Sequence, residues 1–337
     1  MTSLCNLRRI PPALFAFVLF TASASAAEPG IRPPSDATAG DLKPGSALFF
    51  NFYSSSPTSV NVENTRISIT NTSTISAVFI RLFFVDPVLG VRSALNTNVC
   101  LVPDQTAAFL VSDFDPGITG YLIAVASDLQ TECPLSFNFL TGSADIKRAT
   151  GHQATLPAQA IAARFTGRLP GCVSGTGPVT LTFDGGANGY DRVPRVLMVD
   201  KIPSRADGND TLFIVNRFGG NLLQGSDTIG FITGTLYDEA GNGYGFTRSA
   251  GRQFRSTLTN DFPATTPSFE TVIPAGRVGW MKFSTPASNE YALFGAIINA
   301  NPNAQTARAG FSGGYNLRAL TLANSVTLTI PFLQPAC

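Results

Sequence analysis

From Gly45 onward, apolar and polar residues alternate over short runs that glycine, proline and asparagine repeatedly break. Arg66 to Asn71 is the clearest run. Ile67 and Ile69 fall on one side and Arg66, Ser68 and Thr70 on the other, the period-two pattern of a half-exposed strand. Ala47 to Tyr53 is aromatic and continuous, as in a strand buried on both faces. Ile80, Leu82 and Phe84 share one face of the next run. Further strands are expected at 106–111, 121–126, 135–139, 178–183, 195–200, 211–216, 229–237, 268–273, 278–283, 291–298 and 320–331. One helix is expected, over residues 157–166, where alanine is dense.

The order of these runs recurs. Arg66–Asn71 is echoed by Thr211–Asn216, and Phe79-Ile80 followed by Phe84-Val85-Asp86 is echoed by Phe231-Ile232 followed by Leu236-Tyr237-Asp238. The turn Pro103-Asp104-Gln105 leading to Phe109 is matched with Pro274-Ala275-Gly276 leading to Trp280, and Gly120-Tyr121-Leu122 with Glu290-Tyr291-Ala292. Four matches in one order imply two copies of one β-rich unit. Ile80, Leu82 and Phe84 align with Ile232, Gly234 and Leu236, so the inward parity is the same in both copies. The connection from Asp238 to Pro274 is about twice as long as that from Asp86 to Pro103, which makes it a leading place for function on a loop.

A strand ending in Asn, a second ending in an Asp turn, and a Pro-Asp-Gln or Pro-Ala-Gly turn into an aromatic strand together resemble the Ig-like sandwiches common in exported bacterial proteins. The resemblance implies an all-β fold of two tandem Ig-like antiparallel β-sandwich domains related by internal duplication. The expected boundaries are a signal peptide at 1–26, a disordered or extended lead-in at 27–44, a first sandwich at 45–166 and a second at 167–337. Such sandwiches serve as spacers, adhesins, assembly subunits and sugar binders, so the fold fixes no activity.

The N-terminus sets the compartment. Arg8 and Arg9, an apolar stretch from Ala13 to Phe20, and Ala24-Ser25-Ala26 together read as a secretory signal cleaved near Ala26. No later apolar stretch reaches the roughly 20 residues of a membrane span, so a soluble secreted, periplasmic or surface protein is expected. Removing the two arginines leaves the 337-residue chain near charge balance, with no basic stripe for nucleic acid and no polybasic segment for anionic lipid. The expected partner is a protein or glycan outside the cell, or a second copy of the chain. Beyond the signal stand four cysteines, Cys100, Cys133, Cys172 and Cys337, which read as two disulfides in an oxidising compartment. Three connectivities are possible, and pairing within copies, Cys100–Cys133 and Cys172–Cys337, is the simplest.

Reactive patterns are sparse. Gly310-Phe311-Ser312-Gly313-Gly314 has the spacing of a nucleophile elbow, but no buried strand precedes it and the sole histidine, His152, lies upstream, so it reads as a glycine turn. His152 reads as a solvated or hydrogen-bonded loop residue, since one histidine builds no multi-histidine metal site. Asp207, Asn209 and Asp210, and less so the stretch from Asp184 to Asp191, gather oxygens of the kind that hold calcium, the one cofactor considered. Asp86 and Asp238 read as turn initiators, and Gly241 to Gly245 as a hairpin turn. Trp280 reads as a core anchor, with sugar stacking as the alternative. No residue is assigned to catalysis or cofactor binding. The expected function is a non-enzymatic structural, adhesive or protein-binding module, with a carbohydrate-binding module and an exported hydrolase as alternatives.

Overall fold

The computed structural model describes residues 38–87, 94–173, 177–225, 227–286, 291–303 and 311–331, with the side chains of 94–96 left aside. The signal segment, the first part of the lead-in, Gly310 and Cys337 lie outside the described residues.

Five sheets form the described fold. The first runs Ala94–Leu101 (β4), Val78–Val85 (β3), Thr119–Ser127 (β6), Ala47–Ser54 (β1) and Gln159–Ile161 (β9). The second runs Thr106–Leu110 (β5), Asn64–Asn71 (β2), Leu140–Lys147 (β7) and Gln153–Pro157 (β8). The third runs Gly243–Ala250 (β15), Gly230–Tyr237 (β14), Val278–Ser284 (β17), Pro194–Pro203 (β11) and Arg318–Leu322 (β20). The fourth runs Gln253–Thr257 (β16), Asp210–Phe218 (β12), Ala292–Ala300 (β18) and Gly313–Asn316 (β19). The fifth, smaller sheet runs Val179–Phe183 (β10), Val326–Ile330 (β21) and Gly220–Asn221 (β13).

The all-β content matches the expectation, but two tandem Ig-like sandwiches do not. Five sheets is the number of a five-bladed β-propeller, not the four of two such sandwiches. Within each larger sheet the strands come from separate stretches of chain, unlike blades wound one after another.

The sheets also share their cores. Ile67, Ile80, Leu122 and Ala144 from the first half pack in one cluster with Leu212, Ile214, Ala296 and Ile298 from the second. On the other side of β1, Phe49 meets Phe218 and Phe294 of the second half, with ring centroids 5.6 and 4.5 Å away, and joins Leu181 and Leu328 of the fifth sheet. All of β1 and β3 is therefore buried, which is why their apolar runs are continuous rather than alternating. The third and fourth sheets enclose the remaining core, including Leu197, Ile232, Phe213 and Ile297.

The strand order β4-β3-β6-β1-β9 is matched by β15-β14-β17-β11-β20, and β5-β2-β7-β8 by β16-β12-β18-β19. Arg66–Asn71 in β2 and Thr211–Asn216 in β12 hold equivalent places, as do β3 and β14. The third and fourth sequence matches are one strand out of step. Phe109 lies on edge strand β5, whereas Trp280 lies on β17, the counterpart of β6. Gly234 stands where Leu82 stands in the first half because a Cβ there would come 2.5 Å from the Phe246 ring.

Several local expectations are corrected. Residues 157–166 form no helix: Gln159–Ile161 is the short strand β9, and a Cβ on Gly45 would come 2.7 Å from the Ile161 backbone, so small residues suit this crowded crossing. Leu135–Phe139 forms no named strand, and 268–273 contains the short helix Phe269–Val272 (α1) instead. The long connection after Asp238 carries β15 and β16. Cys133 is bonded to Cys172, so the within-copy pairing is overturned. Cys100 is also disulfide-bonded. Part of the lead-in is ordered: Thr38 bridges to Arg192 and Gly40 to Ala160. Among the described residues no helix is long and apolar enough to cross a membrane.

Candidate ligand-binding face and cleft

The third sheet hides one face and shows the other. Ile232 and Leu236 of β14, Met281 and Phe283 of β17, and Leu197 and Val199 of β11 point into the core. By strand alternation, Thr235 and Tyr237, Trp280 and Lys282, and Met198 and Asp200 lie on the opposite face. Thr235 is opposite Lys282, Lys282 opposite Met198, and Met198 opposite Arg318 of β20. This row crosses four strands, a span of about 14 Å at the usual strand spacing.

Tyr237 and Trp280 are directly paired across the ladder, and their rings stack at 4.1 Å with planes 6° apart. Gly243 sits opposite Tyr237 on β15, and a Cβ there would come 2.9 Å from the tyrosine ring. Glycine therefore lets the ring lie over the edge strand. Lys282 Nζ is 5.7 Å from the centre of the same ring, within cation–π range. In β11 the register shifts between Val199 and Ile202, and within that bulge Asp200 pairs with Arg318 Nε at 3.0 Å.

Asp200 and Arg318 also line a cleft of about 660 Å³ between the two halves, together with Asp41, Gln159, Tyr315 and Asn316. That volume lies in the range of small-ligand sites. A line of amides fixes its inner wall. Gln253 donates to Asn216 Oδ1 at 2.6 Å and Asn216 donates to the Asn51 carbonyl at 2.8 Å. Asn51 in turn donates to Gln159 Oε1 at 2.9 Å and Asn316 Oδ1 at 2.8 Å, and Asn316 donates to the Pro157 carbonyl at 2.7 Å. The Tyr315 hydroxyl donates to the Lys201 carbonyl at 2.9 Å. Burial, with the nearby Asp200 carboxylate adding to it, pushes the Tyr315 pKa up, so the phenol stays protonated. The surface thus offers an aromatic stack, exposed cations and fixed amides along one path.

Trp280, expected in the core, is half-buried on this outer face. The calcium candidates do not share one partner. Asp207 accepts from the Gly276 N–H, Asn209 Oδ1 accepts from Asn299 and Asn301, and Asp210 pairs with Arg205 at 3.5 Å. Among the described residues no group of three His, Cys, Asp or Glu could hold a metal ion. His152 is buried, not solvated, bonded to Thr150 Oγ1 at 2.8 Å and to the Asp210 carbonyl at 2.9 Å. Ser312 exchanges hydrogen bonds with the Asn301 backbone. Asp86 is buried, and Asp238 accepts from Asn242 in the exposed hairpin turn before β15. Asp184 accepts from the Gly186 N–H.

Sequence reasoning missed Tyr237, Asp200, Tyr315 and Arg318 as neighbours. The alternation in Phe231–Tyr237, with Thr233, Thr235 and Tyr237 on one parity, was the available signal. Comparison with protein-family models, curated proteins and solved structures finds no match.

Proposed function

We propose that this protein is an exported, non-catalytic adhesive module that binds glycan chains on the outer face of its third sheet. The observation that carries the reading is the Tyr237–Trp280 stack, half-buried on a sheet face that continues into a polar cleft. A pyranose ring has an apolar C–H face and a polar rim. Aromatic side chains meet the first, and hydroxyls, amides and charged groups meet the second. Both kinds of group lie along this face. The Cys133–Cys172 bond is compatible with an oxidising, extracytoplasmic setting, and the secretory signal pattern supports export.

The test is a glycan-array screen of the mature chain, followed by calorimetry of the best ligand with wild type and Trp280→Ala. The expected loss is tenfold or more in affinity, about 1.4 kcal/mol. An array without a binder, or a Trp280→Ala protein that binds as wild type does, rejects the reading.

A further inference from the structure

We infer that the glycan taken by this face is anionic, a chain bearing carboxylate or sulfate groups laid across the strands from the Tyr237–Trp280 stack to the cleft. The inference rests on the glycan reading above and names its ligand class. Its basis is the kind and placement of charge. Lys282 is exposed, is one strand from Tyr237 in the row opposite Thr235, and reaches over the tyrosine ring. Arg318, 70% exposed, stands two strands further along the same row. Lys201, also exposed, lies in the bulge between them. The carboxylates along this path are Asp200 and, in the cleft, Asp41. Lys282, Lys201 and Arg318 thus outnumber these two carboxylates by one; Asp200 is less exposed than its partner Arg318, Asp41 is exposed, and Glu239 beside the stack is paired with Arg277 at 2.8 Å.

The Asp200–Arg318 pair fits such a ligand. An ion pair this exposed is weak, because water and salt screen it and two long side chains must be held still. An incoming acid group can engage the guanidinium at little cost, and arginine matches a planar carboxylate or a sulfate with two parallel donors. Lys282 supplies a second contact beside the aromatic stack. Acid groups repeated along a chain would meet Lys282 and Arg318 in turn, while the rings hold a sugar face at the end of the path beside Lys282.

The experiment is calorimetry of the full mature chain with oligogalacturonate and with size-matched neutral xylo-oligosaccharides, each at low and physiological salt. Oligogalacturonate is expected to bind at least tenfold tighter, with the preference shrinking as salt rises. Lys282→Gln and Arg318→Gln are each expected to cut that preference three- to tenfold, and Trp280→Ala to weaken both ligands. Equal binding of both ligands, with Trp280→Ala weakening each, overturns the anionic assignment and leaves the glycan reading standing. Binding of neither overturns the anionic assignment, and the array screen then decides the glycan reading. Oligogalacturonate binding that survives Trp280→Ala is charge capture without ring contact and also overturns both.

Discussion

At the scale of single residues, Asp191 holds the most consequential charge in the fold. Its side chain is fully buried, yet it pairs with Lys43 at 2.7 Å and Arg164 at 3.2 Å and accepts from the Ala162 N–H. One carboxylate thus ties the lead-in, the β9 crossing and the start of β11 together. Removing it leaves the Lys43 ammonium in a site from which water is largely excluded, a change that typically costs about 3 kcal/mol. Asp191→Ala should lower the urea midpoint accordingly, and Asp191→Asn, which keeps the Ala162 contact, should recover part of the loss. A midpoint within error of wild type for both variants would show that the pair contributes nothing. The sequence displayed Asp191 only as one oxygen in a glycine-rich loop, because its partner Lys43 is 148 residues away. Trp280 was hidden for a related reason. An aromatic residue in an alternating strand signals a face but not which face, and its match to Phe109 placed it inward.

At the scale of elements, the chain's alternation was readable wherever a strand has one wet face, as in β2, where Ile67 and Ile69 are buried and Arg66 is exposed. It was unreadable where glycine replaces side chains. β15 opens Gly-Tyr-Gly and is largely exposed, so it looked like a loop. Alanine misled in the opposite sense. The run from Ala158 to Ala163 has high helix propensity, but here small buried residues pass between a crowded β1 edge and the lead-in. Strand pairing of β9 with β1 overrides that propensity. The disulfide belongs to this scale because it ties the segment after β6 to the segment before β10, across the expected domain boundary. Its ends are 39 residues apart in sequence, so closing that loop in the unfolded chain is worth about 4 kcal/mol by chain entropy. Cys133→Ala with Cys172→Ala should lower the melting temperature measurably. The same shift should appear in wild type after selective reduction of this bond. A double variant that melts with wild type would mean that the link constrains a loop the unfolded chain already holds closed.

At the scale of the molecule, the two halves meet through apolar packing, the buried amides, the Asp191 ion pairs and a contact made by His152. His152 precedes β8 in the first half and reaches Asp210 at the start of β12 in the second. It is the sole histidine of the chain, so no other side chain has an unperturbed pKa between about pH 5 and 8. Burial holds its pKa below the ordinary value. Asp210 pulls the other way, and Arg148 reinforces the depression. The sign follows from linkage. Below about pH 6.5 the unfolded chain takes up a proton that the folded chain resists, so stability falls as pH drops through that value and levels off once the folded histidine is charged. Asp115 has the opposite effect lower down. Burial raises its pKa despite the hydrogen bond from Tyr53, so protonating it on acidification restores stability, within the carboxylate range. Between about pH 7 and 5.5 the melting temperature of wild type should fall, and His152→Gln should be nearly flat whatever its own stability at neutral pH. Because the histidine spans the seam and the cores are shared, the shift should move one cooperative calorimetric transition rather than split it. Parallel pH curves for the two proteins would mean that the seam does not sense pH, and two separated transitions would mean that the halves fold apart despite the Phe49–Phe294 stack.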